Sequence, residues 1–153
     1  MNKLLVILRI YPGNTKIPTL VYPNDKFKLV TESIRQLRKA LFGRDYKIII
    51  INDGFTQEEL NQLLQNDFCD ILEIDNTGGI GNFATFNLQI EKACFYKQFD
   101  KIYFAEDDYL YTQDFVTQCL KILEKSDYVT GYYHPDYESL NFHKKDLHSR
   151  QDT

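Results

Sequence analysis

Residues 48–51 are four consecutive isoleucines, inside the run Tyr46-Lys47-Ile48-Ile49-Ile50-Ile51. Each β-branched side chain loses rotamer freedom in a helix, so the block disfavours that conformation. It also lacks the apolar–polar alternation of a half-exposed strand. What it fits is a strand buried on both faces, and such strands occur in parallel sheets covered by helices on either side. Leu4 to Ile10 reads the same way. Asp70 to Ile74 reads as a third strand, Lys101 to Ala105 as a fourth, and Asp127 to Tyr133 as a fifth.

Helical patterns lie between these runs. Phe27, Val30, Ile34, Leu37 and Leu41 form one apolar stripe that Gly43 stops. Thr56 with Glu59 makes a capping box ahead of Leu60, Leu63 and Leu64. Phe83, Phe86, Ile90 and Ala93 supply the core face of a third helix. Thr112 can cap a fourth, with Phe115, Cys119 and Leu123 inward. The order β-α-β-α-β-α-β-α-β predicts an α/β fold of three layers, with a mostly parallel sheet and right-handed crossovers. Residues 1–133 form that domain, and 134–153 are a polar C-terminal segment with little core signal.

The 153 residues suit one such domain, and 43 % hydrophobic content can fill its core. A net charge of -4 without a basic run argues against a nucleic-acid partner. No apolar run approaches a membrane span, and Arg9 interrupts the only stretch that resembles a leader. The odd, widely spaced Cys69, Cys94 and Cys119 fit neither a zinc site nor a disulfide framework. They read as reduced core thiols and point to the cytoplasm.

In an open α/β sheet, ligands bind at the carboxyl ends of the strands. Polar residues collect there: Arg9 and Tyr11 after the first strand, Asn52 and Asp53 after the second, Asp75 and Asn76 after the third. The fourth ends in three consecutive carboxylates, Glu106, Asp107 and Asp108. Like charges repel, so the triplet is either a solvated turn or is compensated by a cation, and hard divalent cations choose such oxygens. Gly79-Ile80-Gly81-Asn82-Phe83-Ala84 matches G-x-G-x-x-A between a strand and a helix. That pattern admits a dinucleotide site, although the fingerprint normally follows the first strand. It is also a tight turn that brings helix and strand together, or a loop whose amides and Asn82 meet a ligand. Asp53 can accept from a base or a ribose hydroxyl, or simply shape its turn.

Ile49-Ile50-Ile51-Asn52-Asp53-Gly54, the Gly/Asn-rich segment opening the third helix, and Phe104-Ala105-Glu106-Asp107-Asp108 together resemble the nucleotide-binding half of GT-A glycosyltransferases. The spacing is similar to family-2 inverting enzymes. The stretch from Glu106 to Phe115 looks closer to the Glu-Asp-Asp motif of the N-acetylglucosaminyltransferase I type. The resemblance covers Leu4 to Tyr133. It implies a GT-A, Rossmann-like domain that takes a UDP sugar with Mn²⁺ or Mg²⁺ and passes the sugar to a hydroxyl of a glycan, lipid or protein.

It also implies roles. Asp108 would hold the metal, with Glu106 and His134 as further candidates. Asp53 would contact uracil or ribose, and Arg9 and Tyr11 would line the base pocket. Glu106 or Asp107 would reach the ribose or a metal-bound water, and Gly79 and Asn82 would meet the nucleotide. The pattern departs from the family at Phe86, where many members carry Arg. It departs again in the short stretch after Tyr133, where a general base is expected. Asp136 and Glu138 are candidates by type, alongside His134, His143 and His148. Two rival readings remain: a nucleotide-binding module without turnover, and an NAD-dependent oxidoreductase using Gly79–Gly81. An oligomer is compatible with all three.

Overall fold

The structure, a computed structural model, describes residues 3–13 and 21–131. The chain divides into two compact units, Met1–Gln113 and Asp114–Thr153. The first contains β1 (Leu4–Ile10), α1 (Lys26–Leu41), β2 (Tyr46–Asn52), α2 (Gln57–Leu63), β3 (Ile71–Asn76), α3 (Asn82–Phe95) and β4 (Lys101–Glu106). The four strands form one parallel sheet in the order β3-β2-β1-β4.

Strand order fixes where the helices go. The chain steps outward from β1 to β2 to β3, then returns past β1 to reach β4. Right-handed crossovers therefore put α1 and α2 on one face and α3 on the other. The direction reverses between β1 and β4, which makes their carboxyl ends the switch-point crevice. Both faces of the central strands are filled. Leu5, Ile7, Ile49 and Ile51 pack with Leu88, Ala93 and Tyr96 of the α3 segment. Side chains alternate along a strand, so Val6, Leu8, Ile48 and Ile50 point to the α1 and α2 side, and all four are buried. The isoleucine block is thus buried from both sides, which is why it shows no alternation.

Local signals set the helix limits. Asp25 caps α1 by accepting from the Lys28 amide at 2.9 Å. Thr56 and Glu59 form the expected capping box on α2. The core stripe of α1 lies as expected, with Val30, Ile34, Leu37 and Leu41 buried.

Helix α3 does not follow its expected stripe. Phe83, Phe86 and Ile90 are exposed, and the buried residues are Thr85 and Gln89. A second stripe with the same spacing, Asn82, Thr85, Gln89, Lys92 and Tyr96, anchors the helix instead. Gln89 Nε2 donates to Ile7 O at 2.8 Å, Lys92 bridges Glu73 and Asp75, and Tyr96 OH donates to Glu73 at 2.6 Å. The polar stripe faces the sheet, where these bonds hold it to a carbonyl of β1 and two carboxylates of β3. The cysteines also depart from the core reading: Cys69 and Cys94 are exposed, Cys119 is half-buried, and all three are free.

In the second unit, α4 (Phe115–Ile122) follows Asp114 and buries Val116. The expected strand from Asp127 has no counterpart at residues 127–131, and the rest of it lies outside the described residues. No helix among the described residues is long and apolar enough to cross a membrane.

Leu37, fully buried in α1, tests the core. Leu37→Ala is expected to cost about 2–5 kcal/mol in urea unfolding, from lost transfer energy and the cavity left behind. A loss well under about 1 kcal/mol would mean that α1 does not lie on the sheet as described.

Candidate functional site: the carboxyl edge of the sheet

Arg9 leaves β1 at the switch point and joins three elements. Its Nε and Nη2 donate to Glu106 on β4, Nη2 at 2.7 Å. Its Nη1 donates to the Asn82 carbonyl at 2.8 Å, to Asn82 Oδ1 at 2.7 Å and to Thr85 Oγ1 at 3.2 Å, all at the start of α3. The guanidinium also lies over the Phe86 ring, 5.7 Å from its centroid. The flat five-donor fork of arginine is the side chain that can serve these partners together.

Asp107 is the second acid of the triplet and is buried. Its Oδ1 takes an ion pair from Lys26 Nζ at 2.7 Å, and its Oδ2 accepts from the Tyr11 amide at 2.8 Å. Burial pushes the Asp107 carboxyl above its ordinary range against the pull of Lys26, and the Asp108 charge adds to the push. Burial likewise raises Glu106 against the pull of Arg9. Asp108 itself is half-buried and makes no hydrogen bond or ion pair with a described residue. Among the described residues, the triplet thus meets two protein cations for three acids.

The chain then folds back on itself. Tyr111, buried, donates from its hydroxyl to the Glu106 carbonyl at 3.1 Å, and its ring meets Tyr103 edge-on.

The glycine loop has an internal partner. Asp53 Oδ1 accepts from Thr77 Oγ1 at 2.5 Å, Gly79 N at 3.0 Å and Ile80 N at 2.7 Å. Its Oδ2 accepts from Gly81 N at 2.9 Å. Gly79 and Gly81 hold φ of 92° and 89°, which side-chain-bearing residues rarely adopt, and these angles turn successive amides toward one anion. The carboxylate sits at the N-terminus of α3, where the helix dipole favours it. Burial works to raise the Asp53 carboxyl, but the bonds from Thr77 and the three amides outweigh it, and it titrates below its ordinary range. The amides of Gly79–Gly81 are therefore already used, which leaves them unavailable to a pyrophosphate. Asn52 supports the turn, with Nδ2 donating to Phe55 O at 2.7 Å and Asn76 Oδ1 at 2.8 Å.

Tyr11, half exposed, closes the edge beside Pro12 and Gly13. Its ring lies over Gly13, so a Cβ there would require the half-exposed Tyr11 side chain to swing away. The structure thus gathers Arg9, Tyr11, Glu106, Asp107 and Asp108 at one crevice, with Asn82 held beside it by Arg9. Asp53 and Gly79 meet one another. His134, Asp136, Glu138, His143 and His148 lie outside the described residues. Lys26 is a site residue that sequence reasoning misses. Nothing local marks it, since its partner is 81 residues away.

One other group brings three candidate metal-ligand atoms within 4.8 Å of one another: Asp67, Cys69 and Asp70, before β3. The Asp70 oxygens are already taken by Arg38, at 2.7 and 3.0 Å, and by Tyr46 OH at 3.0 Å. A hydrogen bond to Asp67 raises the Cys69 thiol, which keeps it protonated. This group is an ion-pair anchor for the loop. The acidic triplet, for its part, is not a preassembled three-carboxylate cage. Among the described residues Asp108 has no ion-pair partner, and Mn²⁺ or Mg²⁺ can use one such carboxylate with water and phosphate completing the shell.

Asp53→Asn puts amide hydrogens against loop N–H groups. It is expected to lose about 1–3 kcal/mol at pH 7 in denaturant unfolding. Because the folded carboxyl titrates low, its contribution is complete above the unfolded value near about 3.9 and is lost as pH falls through the folded value. The gap between the two proteins should therefore narrow below about pH 4; a gap that widens with acid would reverse the assignment.

No protein-family model matches the chain, and no curated protein matches it.

Proposed function

We propose that the carboxyl edge of this sheet binds a nucleotide sugar, of the UDP type, together with Mn²⁺ or Mg²⁺ at Asp108. On this reading the protein is a glycosyltransferase that passes the sugar to an acceptor hydroxyl. The observation that carries the proposal is the leftover acid at the switch point. Arg9 and Lys26 neutralise Glu106 and Asp107, while Asp108 has no such partner among the described residues. Burial is the main reason that Glu106 and Asp107 are raised, and a cation at Asp108 would offset the smaller push that the Asp108 charge adds. The resemblance of the strand-end motifs to GT-A enzymes supports the same reading, and so does the crevice position.

The roles divide by what each side chain has left to give. Asp108 would hold the metal, with Glu106 as its neighbour. When bound, the metal would neutralise charge on the leaving diphosphate. Tyr11, half exposed, is free to lie against a base, and Arg9 and Asp107 shape the floor beneath it. Asp53 accepts one bond on Oδ2, so that oxygen keeps acceptor capacity for a base or ribose hydroxyl. Its main effect on a nucleotide would come through the loop and Asn82. The acceptor, whether glycan, lipid or protein, would approach from the open side of the crevice. Asp136, Glu138 and His134 are the nominees for the base and for a further ligand.

Calorimetric titration of UDP with Mn²⁺, repeated in EDTA, tests the site. Binding should require the metal, and Asp108→Ala should weaken it at least about tenfold, the scale of one lost charge-assisted contact. Metal-dependent binding that survives Asp108→Ala would reject the assignment. UDP binding without release of UDP from any UDP sugar would favour a binding module over an enzyme. NADH binding in place of UDP would favour the oxidoreductase reading.

A further inference from the structure

Lys26 opens α1, and its place there runs against two preferences. The positive end of the helix dipole faces it, and acids suit a first turn better than bases. Its side chain is also only 9 % exposed, a degree of burial rare for a lysine that lacks a partner. One group answers both: Asp107, whose Oδ1 lies 2.7 Å from Lys26 Nζ.

The pair engages Asp107 on both oxygens. The end of β1 holds Oδ2 through the Tyr11 amide, at 2.8 Å, and the start of α1 holds Oδ1 through Lys26. Asp107 precedes Asp108 in the chain, and the Asp108 charge reaches it. A divalent cation at Asp108 would therefore meet an ammonium where a second carboxylate could have served it. Three acids against two paired protein cations leave one negative charge among the described residues. One carboxylate with water holds Mn²⁺ or Mg²⁺ weakly, and phosphate oxygens strengthen the shell. Loss of the ammonium would not set Asp107 loose, because the Tyr11 amide still orients it. It would return Oδ1 to use as a ligand atom.

We propose that Lys26 is a selectivity residue that withholds Asp107 from a cation at Asp108. The edge then takes a divalent cation poorly until a diphosphate supplies the oxygens that Asp107 does not. This inference rests on the reading of Asp108 as the metal ligand.

Mn²⁺ titration, followed by the paramagnetic resonance signal of the free ion with and without UDP, tests it. The wild type should bind Mn²⁺ alone at about millimolar concentration or more weakly, and UDP should tighten it at least about tenfold. Lys26→Met keeps the stem and removes the charge. It should tighten binding of Mn²⁺ alone at least about tenfold and shrink the effect of UDP. Adding Asp107→Asn should cancel that gain, and Lys26→Arg, which keeps the charge, should show none. If melting curves show that Lys26→Met does not fold, Lys26→Gln takes its place, since its amide can still donate to Asp107 without a charge. Wild-type affinity for Mn²⁺ alone in the uncharged variant overturns the proposal, while metal-dependent UDP binding keeps the Asp108 reading standing. A gain that survives Asp107→Asn overturns it too. A wild type that binds no Mn²⁺ even with UDP removes the Asp108 reading and this proposal together.

Discussion

The Arg9 guanidinium is the interaction on which the rest of the arrangement depends. It leaves the buried strand β1 and is held on two sides, by Glu106 of the neighbouring strand and by Asn82 and Thr85 at the start of α3. A charge taken this far from water must be matched group for group, because an unpaired one costs several kcal/mol. That demand acts on the rotation of α3 about its own axis together with the bonds that Gln89, Lys92 and Tyr96 make to β1 and β3. With Thr85 turned toward Arg9, Gln89, Lys92 and Tyr96 follow at helical spacing, and Phe83, Phe86 and Ile90 are left outside. Arg9 thus links the polar end of β1 and β4 to the same face of α3 that Gln89, Lys92 and Tyr96 hold to the sheet.

On the neighbouring strand β2, Asp53 has a comparable role. G-x-G loops often cradle an external phosphate, but here the anion is supplied from within the chain. The backbone geometry is the same, three amides turned inward by left-handed glycines, yet the group they hold is covalently fixed to the end of β2. The loop is preorganised without a ligand, and its rigidity passes to Asn82 and so to Arg9.

Much of this is legible in the residues, and the limits have a common cause. The central strands β1 and β2 follow from apolar runs that need cover on both sides, the half-exposed edge strands β3 and β4 from shorter runs, and α1 and α2 from a stripe and a capping box. These are local signals of period or position. The outward face of α3 is not legible, because two stripes of equal spacing compete, one apolar and one polar. The choice between them rests on bonds to Ile7, Glu73 and Asp75, which are far away in the chain. Lys26 is hidden for the same reason: a lysine opening a helix means little until Asp107 is beside it. The acidic triplet announces that compensation is needed, but not that most of it comes from the protein itself.

The divergence of β1 from β4 has a consequence for the crevice. Their ladder ends at the pair Arg9 and Glu106. Beyond it, the Tyr11 amide is met by the Asp107 side chain in place of a backbone carbonyl. A carboxylate on its own stem is longer than a peptide oxygen, so it acts as a spacer: the two backbones diverge while the amide stays satisfied. The ladder can therefore end at this edge with the Tyr11 amide still paired, and the carboxylate that pairs it is itself held by Lys26 from the start of α1.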